Sequence, residues 1–315
     1  MPWFTLNFYI SLSYCLPSLA LYTLLIIMLI RNWKDFNSAF FKLIIADYLF
    51  NLLTYLNSLL TLRLPNGTCK NCLLSAFFLG IGRKVPKFNE FWNVVYFLYF
   101  GNAYFQYSMV TLMSLNRVTS IFFLLDNEKI WSFLLPIFLF LIILITIFCS
   151  RTILITNPFY QYSEATDMFN FICEPDILPA YNNVLNFMAV SVCLTIFLNL
   201  ISVIKLKMSH HQISVAERNL LVITIFSAGV QGFAAGNTFI LQTGFSAYSI
   251  WVDIAMAVLP FSSDFLTIGQ PYILLLFSSK VRKAFAKMFW NPKIGMMSGS
   301  GGPGSFTRSA NVLSN

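Results

Sequence analysis

Seven long apolar stretches, separated by polar ones, set the pattern of the chain. They cover roughly 9–30, 38–62, 91–117, 131–155, 181–204, 216–242 and 248–277. Each is long enough for a helix to cross a bilayer at about 1.5 Å per residue. The polar punctuation is "RNWKDFN" at 31–37, a long stretch over 63–90, "FFLLDNEKI" at 122–130, 156–180, "KLKMSHHQIS" at 205–214 and a short link at 243–247. After Phe277, "SSKVRKAFAKMFW" (278–290) brings Val281, Phe285, Met288 and Phe289 near one face. That pattern predicts a short amphipathic helix lying in the membrane interface. The expected fold class is all-α: a polytopic membrane protein, a seven-transmembrane-helix bundle over 1–290, then a flexible cytoplasmic tail over 291–315 containing "SGSGGPGS". Residues 1–8 lack a basic leader and the first stretch has spanning length, so no cleavable signal peptide is expected. No internal repeat stands out, which weighs against an inverted-repeat transporter.

Composition sharpens this reading. The 315 residues are 57% hydrophobic and only 10% charged, against about 25% charged in soluble domains. Such a chain lacks the polar surface to cover a globule in water. The net charge of +8 could suit nucleic acid, but the Lys and Arg residues sit at the ends of apolar runs, where they act as topology signals. No nucleic-acid partner is expected; membrane lipid is. With the N-terminus outside, most of the 20 Lys and Arg fall on the inner side, and Arg63, Lys70, Arg83, Lys84, Lys87 and Arg151 fall outside. The sequon Asn66-Gly67-Thr68 marks Asn66 as a glycosylation site and supports that orientation, as does the outer cluster of Glu164, Asp167, Glu174 and Asp176.

Ionisable and amide residues inside apolar runs call for a physical reason. Asp47, Asn51, Thr54 and Ser58 share one helical stripe. Asp47 fits either an ion or proton site or a hydrogen-bonded packing residue. Asn102, Gln106, Met113, Asn116 and Arg117 share a face of the third stretch, with Trp92, Tyr96, Tyr99 and Tyr104 towards its outer half. In the seventh, Asp253 lies near the outer end, as a counter-ion for a cation or as a solvated helix end. Asp264 lies deeper, ahead of Gln270-Pro271. Gly229, Gly232 and Gly236 mark either close helix approach or a bend. Cys15, Cys149 and Cys193 fall in apolar runs; Cys69, Cys72 and Cys173 fall in loops. No second pair or nearby His completes a metal site around "CKNC" at 69–72. No catalytic constellation is present, so neither an enzyme nor a cofactor is expected.

Ala46-Asp47, the arginine of "LMSLNRVTSI" (112–121), "AERNLLVITI" (216–225) and "SDFLTIGQPYILLLFSSKVRKAF" (263–285) together resemble a G-protein-coupled receptor. Within that superfamily the chain resembles the nematode serpentine chemoreceptors, class gamma. The resemblance implies a plasma-membrane chemoreceptor, in sensory cilia as a narrower expectation, that binds an external small molecule and signals to a heterotrimeric G protein. It implies a cytoplasmic switch at Asn116 and Arg117, with Glu217 as an ionic partner, Arg218 facing Asp126 or Glu128, and Pro271-Tyr272 in the seventh span. Trp92, Tyr96, Tyr99, Asn102, Asn186, Gln242, Trp251 and Asp253 are the candidate ligand contacts. Departures are plain: Asn116 replaces an acid, no Trp-x-Pro occurs in 216–242, and no cysteine opens the third span. A disulfide from Cys69 or Cys72 to Cys173 is the implied substitute. The rival readings are a seven-span ligand-gated channel, which an inside N-terminus would favour, and a small ion-coupled transporter using Asp47 and Asp264.

Overall fold

A computed structural model of the chain describes residues 3–81, 89–123, 126–164, 167–174, 178–208, 215–244 and 250–290. The described residues are almost wholly helical. The helices are α1 (Trp3–Arg31), α2 (Trp33–Phe36), α3 (Ala39–Ser58), α4 (Leu64–Asn66), α5 (Ser75–Gly80), α6 (Asn89–Phe122), α7 (Asn127–Ser150), α8 (Leu178–Met208), α9 (Val215–Gly244), α10 (Ile250–Ile268), α11 (Gln270–Phe277) and α12 (Ser279–Trp290). A π turn, Leu59–Arg63, joins α3 to α4, and a 3₁₀ turn, Arg151–Ile155, follows α7.

Among the described residues, five segments are on their own long and apolar enough to cross a membrane: Phe8–Arg31, Ala39–Asn66, Asn127–Ile155, Leu178–Met208 and Arg218–Gln242. The sequence pattern predicts seven, and the two shortfalls have physical causes. Helix α6 carries Asn93, Asn102, Gln106, Asn116 and Arg117, which dilute its hydropathy. The last rod is interrupted between α10 and α11 at Gly269. Pro271 cannot donate a backbone hydrogen bond there, and a Cβ on Gly269 would lie 2.3 Å from the Phe265 carbonyl oxygen. Only glycine fits that break.

Helix α6 is the hub and packs on α3, α7, α8 and α9. Its Phe105, Met109, Leu112 and Met113 join Tyr22, Phe36, Phe40, Leu43 and Trp131 in one buried cluster. Helix α7 is peripheral: only 11% of its most apolar window is buried, so most of its aliphatic side chains face lipid. In α9, an added Cβ at Gly229 or Gly236 would meet nothing within 4 Å, so these glycines serve no close helix approach. Helix α12 packs Val281, Phe285 and Met288 against the main cluster, while Phe289 is exposed instead of sharing that face.

The segment 156–180, which the sequence reading leaves as a plain link, holds an antiparallel hairpin, β1 (Asn157–Ser163) with β2 (Met168–Glu174). Alternation is seen in β1, where Pro158 and Tyr160 are buried, whereas β2 buries the adjacent Met168 and Phe169. Tyr160 and Phe169 pack with Phe78 and Trp92 into a cap over one end of the bundle.

Candidate functional site

A cavity of about 180 Å³ opens inside the bundle on the hairpin side. Helices α3, α6, α8, α9 and α10 all contribute walls. Tyr99, Phe100 and Tyr181 form an aromatic side, Val184, Met188 and Leu266 an aliphatic one, and Asn57, Asn102 and Gln106 bring amides. No described lining side chain is charged.

Of the eight contacts expected from the sequence, Tyr99 and Asn102 line this cavity. Trp92 and Tyr96 do not; their rings pack against Phe171 of the hairpin. Asn186 is exposed on the outside of α8. Gln242 hydrogen-bonds to Asn182 and is likewise off the cavity. These placements share one cause: helical periodicity identifies a face without saying which neighbour covers it. The Trp251 and Asp253 side chains lie outside the described residues, as do that of Glu217 and the tail 291–315.

Gln106 lies at the cavity wall, on the polar face of α6. Its Nε2 donates to Asn51 Oδ1 at 3.1 Å and to Thr267 Oγ1 at 3.0 Å. Asn51 Nδ2 donates to Asp47 at 2.7 Å, and the Tyr22 hydroxyl donates to the same carboxylate oxygen at 3.2 Å. Thus α1, α3, α6 and α10 share one buried polar chain that touches the cavity. Next to Gln106 on α6, Tyr107 and Gln231 exchange two hydrogen bonds, Gln231 Nε2 to the Tyr107 carbonyl and Tyr107 hydroxyl to the Gln231 carbonyl. Asn199 of α8 donates to Ser114 and accepts from Thr224, tying α6, α8 and α9 together.

Asp264 has a partner that the sequence reading put in an outer loop. The π turn closes on the fifth residue, so Arg63 stacks over Ser58 on the inward face of α3, and its Nε donates to Ser58 Oγ at 3.3 Å. The guanidinium pairs with the Asp264 carboxylate, which also accepts from Ser11 and Tyr14 of α1. Both side chains are buried. Arg63 therefore belongs to the interior and not among the outer loop charges. No spacing rule for ordinary helices would have found it, because the π turn is what turns it inwards.

At the other end, Arg117 does not end its helix. Helix α6 continues to Phe122, and Arg117 is 6% exposed. Its Nη2 donates to Asn116 Oδ1 at 2.8 Å, and its guanidinium lies 4.2 Å from the Phe40 ring centroid. A side chain reaching only for the interface would be solvated, whereas this arginine is packed inside the bundle. Arg218 is exposed. Its expected partners are engaged elsewhere: Glu128 accepts from the Ala39 amide at the start of α3, and Asp126 pairs with Lys129. Pro271 is buried, and Tyr272 shares a hydrogen bond with Ser18.

At the hairpin end, the disulfide joins Cys69 to Cys72 and not either of them to Cys173. Asn66 is half-buried on α4 beside it. The loop docks on the hairpin tip, where Asp167 takes a left-handed φ of 48°. Asp167 accepts from the Lys70 amide and from the Tyr162 hydroxyl. The Tyr162 hydrogen bond, then the Lys70 one, hold the Asp167 carboxyl below its ordinary value; the same bond pushes the Tyr162 hydroxyl up to about 12. A lowered folded pKa means docking is intact above the ordinary carboxylate range and is lost as pH falls through the lowered value. Exchange protection of the Lys70 amide is expected to hold near neutrality and to fall only below about pH 4. Loss of protection between pH 6 and 7 would contradict it.

Bundle and cavity define the class: a polytopic all-α membrane protein. The chain belongs to the Srg chemoreceptor family, whose model, described as "Srg family chemoreceptor", matches residues 8–285. It is 28% identical over 300 residues to serpentine receptor class gamma-31 of Caenorhabditis elegans, covering 94% of each chain. It is 21% identical over 292 residues to serpentine receptor class gamma-47 of the same organism, covering 88% of each. The class-gamma resemblance read from the quoted segments is therefore correct, and the protein is a serpentine chemoreceptor.

Proposed function

We propose that this chemoreceptor binds an external small molecule in the cavity and passes the event to a heterotrimeric G protein at the Arg117 end. The carrying observation is Gln106, which lines the cavity and hydrogen-bonds to both Asn51 and Thr267. A ligand that binds two arrangements of these helices unequally shifts their populations. Loosening α6 against α3 and α10 alters the far end of α6, where Asn116 and Arg117 lie. The receptor works at the plasma membrane, in a sensory cilium where it is chemosensory. An oxidised Cys69–Cys72 pair next to the Asn66 sequon supports an oxidising, lumenal origin for the hairpin end, hence an outside N-terminus.

Orientation is tested without any ligand. An N-terminal tag should be accessible on intact cells, and a glycosidase should shift wild type but not Asn66→Gln. A protected tag with unmodified Asn66 would reverse the assignment of ends and point to the channel. Coupling is tested by energy transfer between labelled Gα and Gβγ while a panel of small molecules is applied. The expected response is lost when Ala103→Trp fills the cavity at equal surface expression. A ligand-driven current that persists without Gα would instead support the channel.

A further inference from the structure

The chemistry of the cavity wall limits what can occupy it. Most lining polar groups are already committed. Asn57 Nδ2 donates to the Val95 carbonyl, and Gln106 Nε2 is shared between Asn51 and Thr267. The hydroxyls of Thr54, Thr238 and Ser262 donate to carbonyls of their own helices. Asn102 is different. It is 3% exposed, it lines the cavity, and among the described lining side chains it alone has a buried polar atom, Oδ1, without a hydrogen-bond partner. The Asn102 amide is thus incompletely satisfied by the protein, and a ligand hydroxyl, which both donates and accepts, can satisfy it.

Among the described residues the same wall offers no counter-charge. Moving an ion out of water into a site without a counter-charge is strongly unfavourable. The described acids of the bundle interior are spent: Asp264 pairs with Arg63, and Asp47 is screened behind Asn51 and Gln106. Size is bounded by volume. A cavity of about 150 Å³ accepts benzene, and this one is about 180 Å³.

Resting on the cavity reading above, we infer that the ligand is a neutral organic molecule of about one aromatic ring, bearing a hydroxyl that hydrogen-bonds to the Asn102 side-chain amide. Its apolar body lies against Tyr99, Phe100, Val184, Met188 and Leu266.

The test uses the full-length receptor in lipid nanodiscs, with empty nanodiscs subtracted, and ligand-observed ¹⁹F relaxation. The probes are 4-fluorobenzyl alcohol, 4-fluorotoluene, 4-fluorobenzoate and 4-fluorobenzylammonium. The alcohol is expected to bind at least tenfold more tightly than either ion. Asn102→Leu should weaken the alcohol about three- to tenfold relative to the toluene, whose own affinity stays within about twofold and reports an intact cavity. Asn102→Ala gives the same comparison should the leucine variant not fold. An ion binding as well as the alcohol, an alcohol-to-toluene ratio unmoved by both variants, or no binding by any probe would overturn the inference. Ala103→Trp separates the two levels. If it abolishes binding while the selectivity is wrong, only the ligand class falls. If binding persists unchanged, the cavity is not the site and the receptor reading above falls with it.

Discussion

Asp264→Ala and Arg63→Ala are each expected to lower the folding stability of the receptor by about 3–5 kcal/mol, enough to remove most surface expression. Each leaves its former partner as a lone charge buried inside the bundle, and breaking such a pair costs that much. Ser11 and Tyr14 cannot make up the loss. Both hydrogen-bond to the carboxylate, and without it neither can neutralise a guanidinium. The pair itself contributes little net stability, because both ions gave up hydration to form it. Arg63→Met combined with Asp264→Leu should therefore recover most of the loss. Thermal unfolding in detergent and surface labelling both read this out. Single variants as stable as wild type, or a double variant worse than either single one, would refute the buried-pair account. The transporter reading makes a contrasting demand, since a coupling site at Asp264 would have to release its arginine during each cycle.

Gln106→Leu is expected to raise basal signalling about ten- to thirtyfold per receptor at the surface. The leucine fills most of the volume but gives up two hydrogen bonds, to Asn51 and to Thr267. At about 1 kcal/mol each, and counted as belonging to the resting arrangement, their loss shifts the resting-to-active ratio by about 2 kcal/mol, a factor of about 30 at the upper end. Basal energy transfer between Gα and Gβγ, normalised to surface receptor, measures it. Unchanged basal output at normal expression would mean that Gln106 keeps both contacts in both states, and the route from cavity to Arg117 would have to be sought through Tyr107 and Gln231.

These two residues also show how far the sequence could be read. Gln106 was legible as a polar residue on the inward face of α6, because polar side chains in an apolar helix turn away from lipid. Its partners on α3 and α10 were not, since helical periodicity orients a helix about its own axis and says nothing of which helix lies opposite. Arg63 was hidden more deeply. In an unbroken α-helix, position 63 falls off the Ser58 face, and only the π turn at Leu59–Arg63 brings it back. A buried charge in a polar-looking segment then reads as a loop residue. The hairpin was missed for a related reason. Its strands are short, only β1 alternates, and its buried side is understood only once Trp92 and Phe78 are seen to cover it.

The sequence by itself determined that the chain is a polytopic helical membrane protein, where most of its helices run, and which serpentine class it joins. These follow from local quantities: apolar length against bilayer thickness, the placement of Lys and Arg, and the residues of a few segments. The tertiary structure decided the rest. It chose Asp264 as the partner of Arg63, closed Cys69 on Cys72, and sent Trp92 and Tyr96 to the hairpin, leaving Tyr99 and Asn102 at the cavity. Each of those outcomes is a contact between segments far apart in the chain, and contact energy depends on distance in space, which no reading along one dimension supplies.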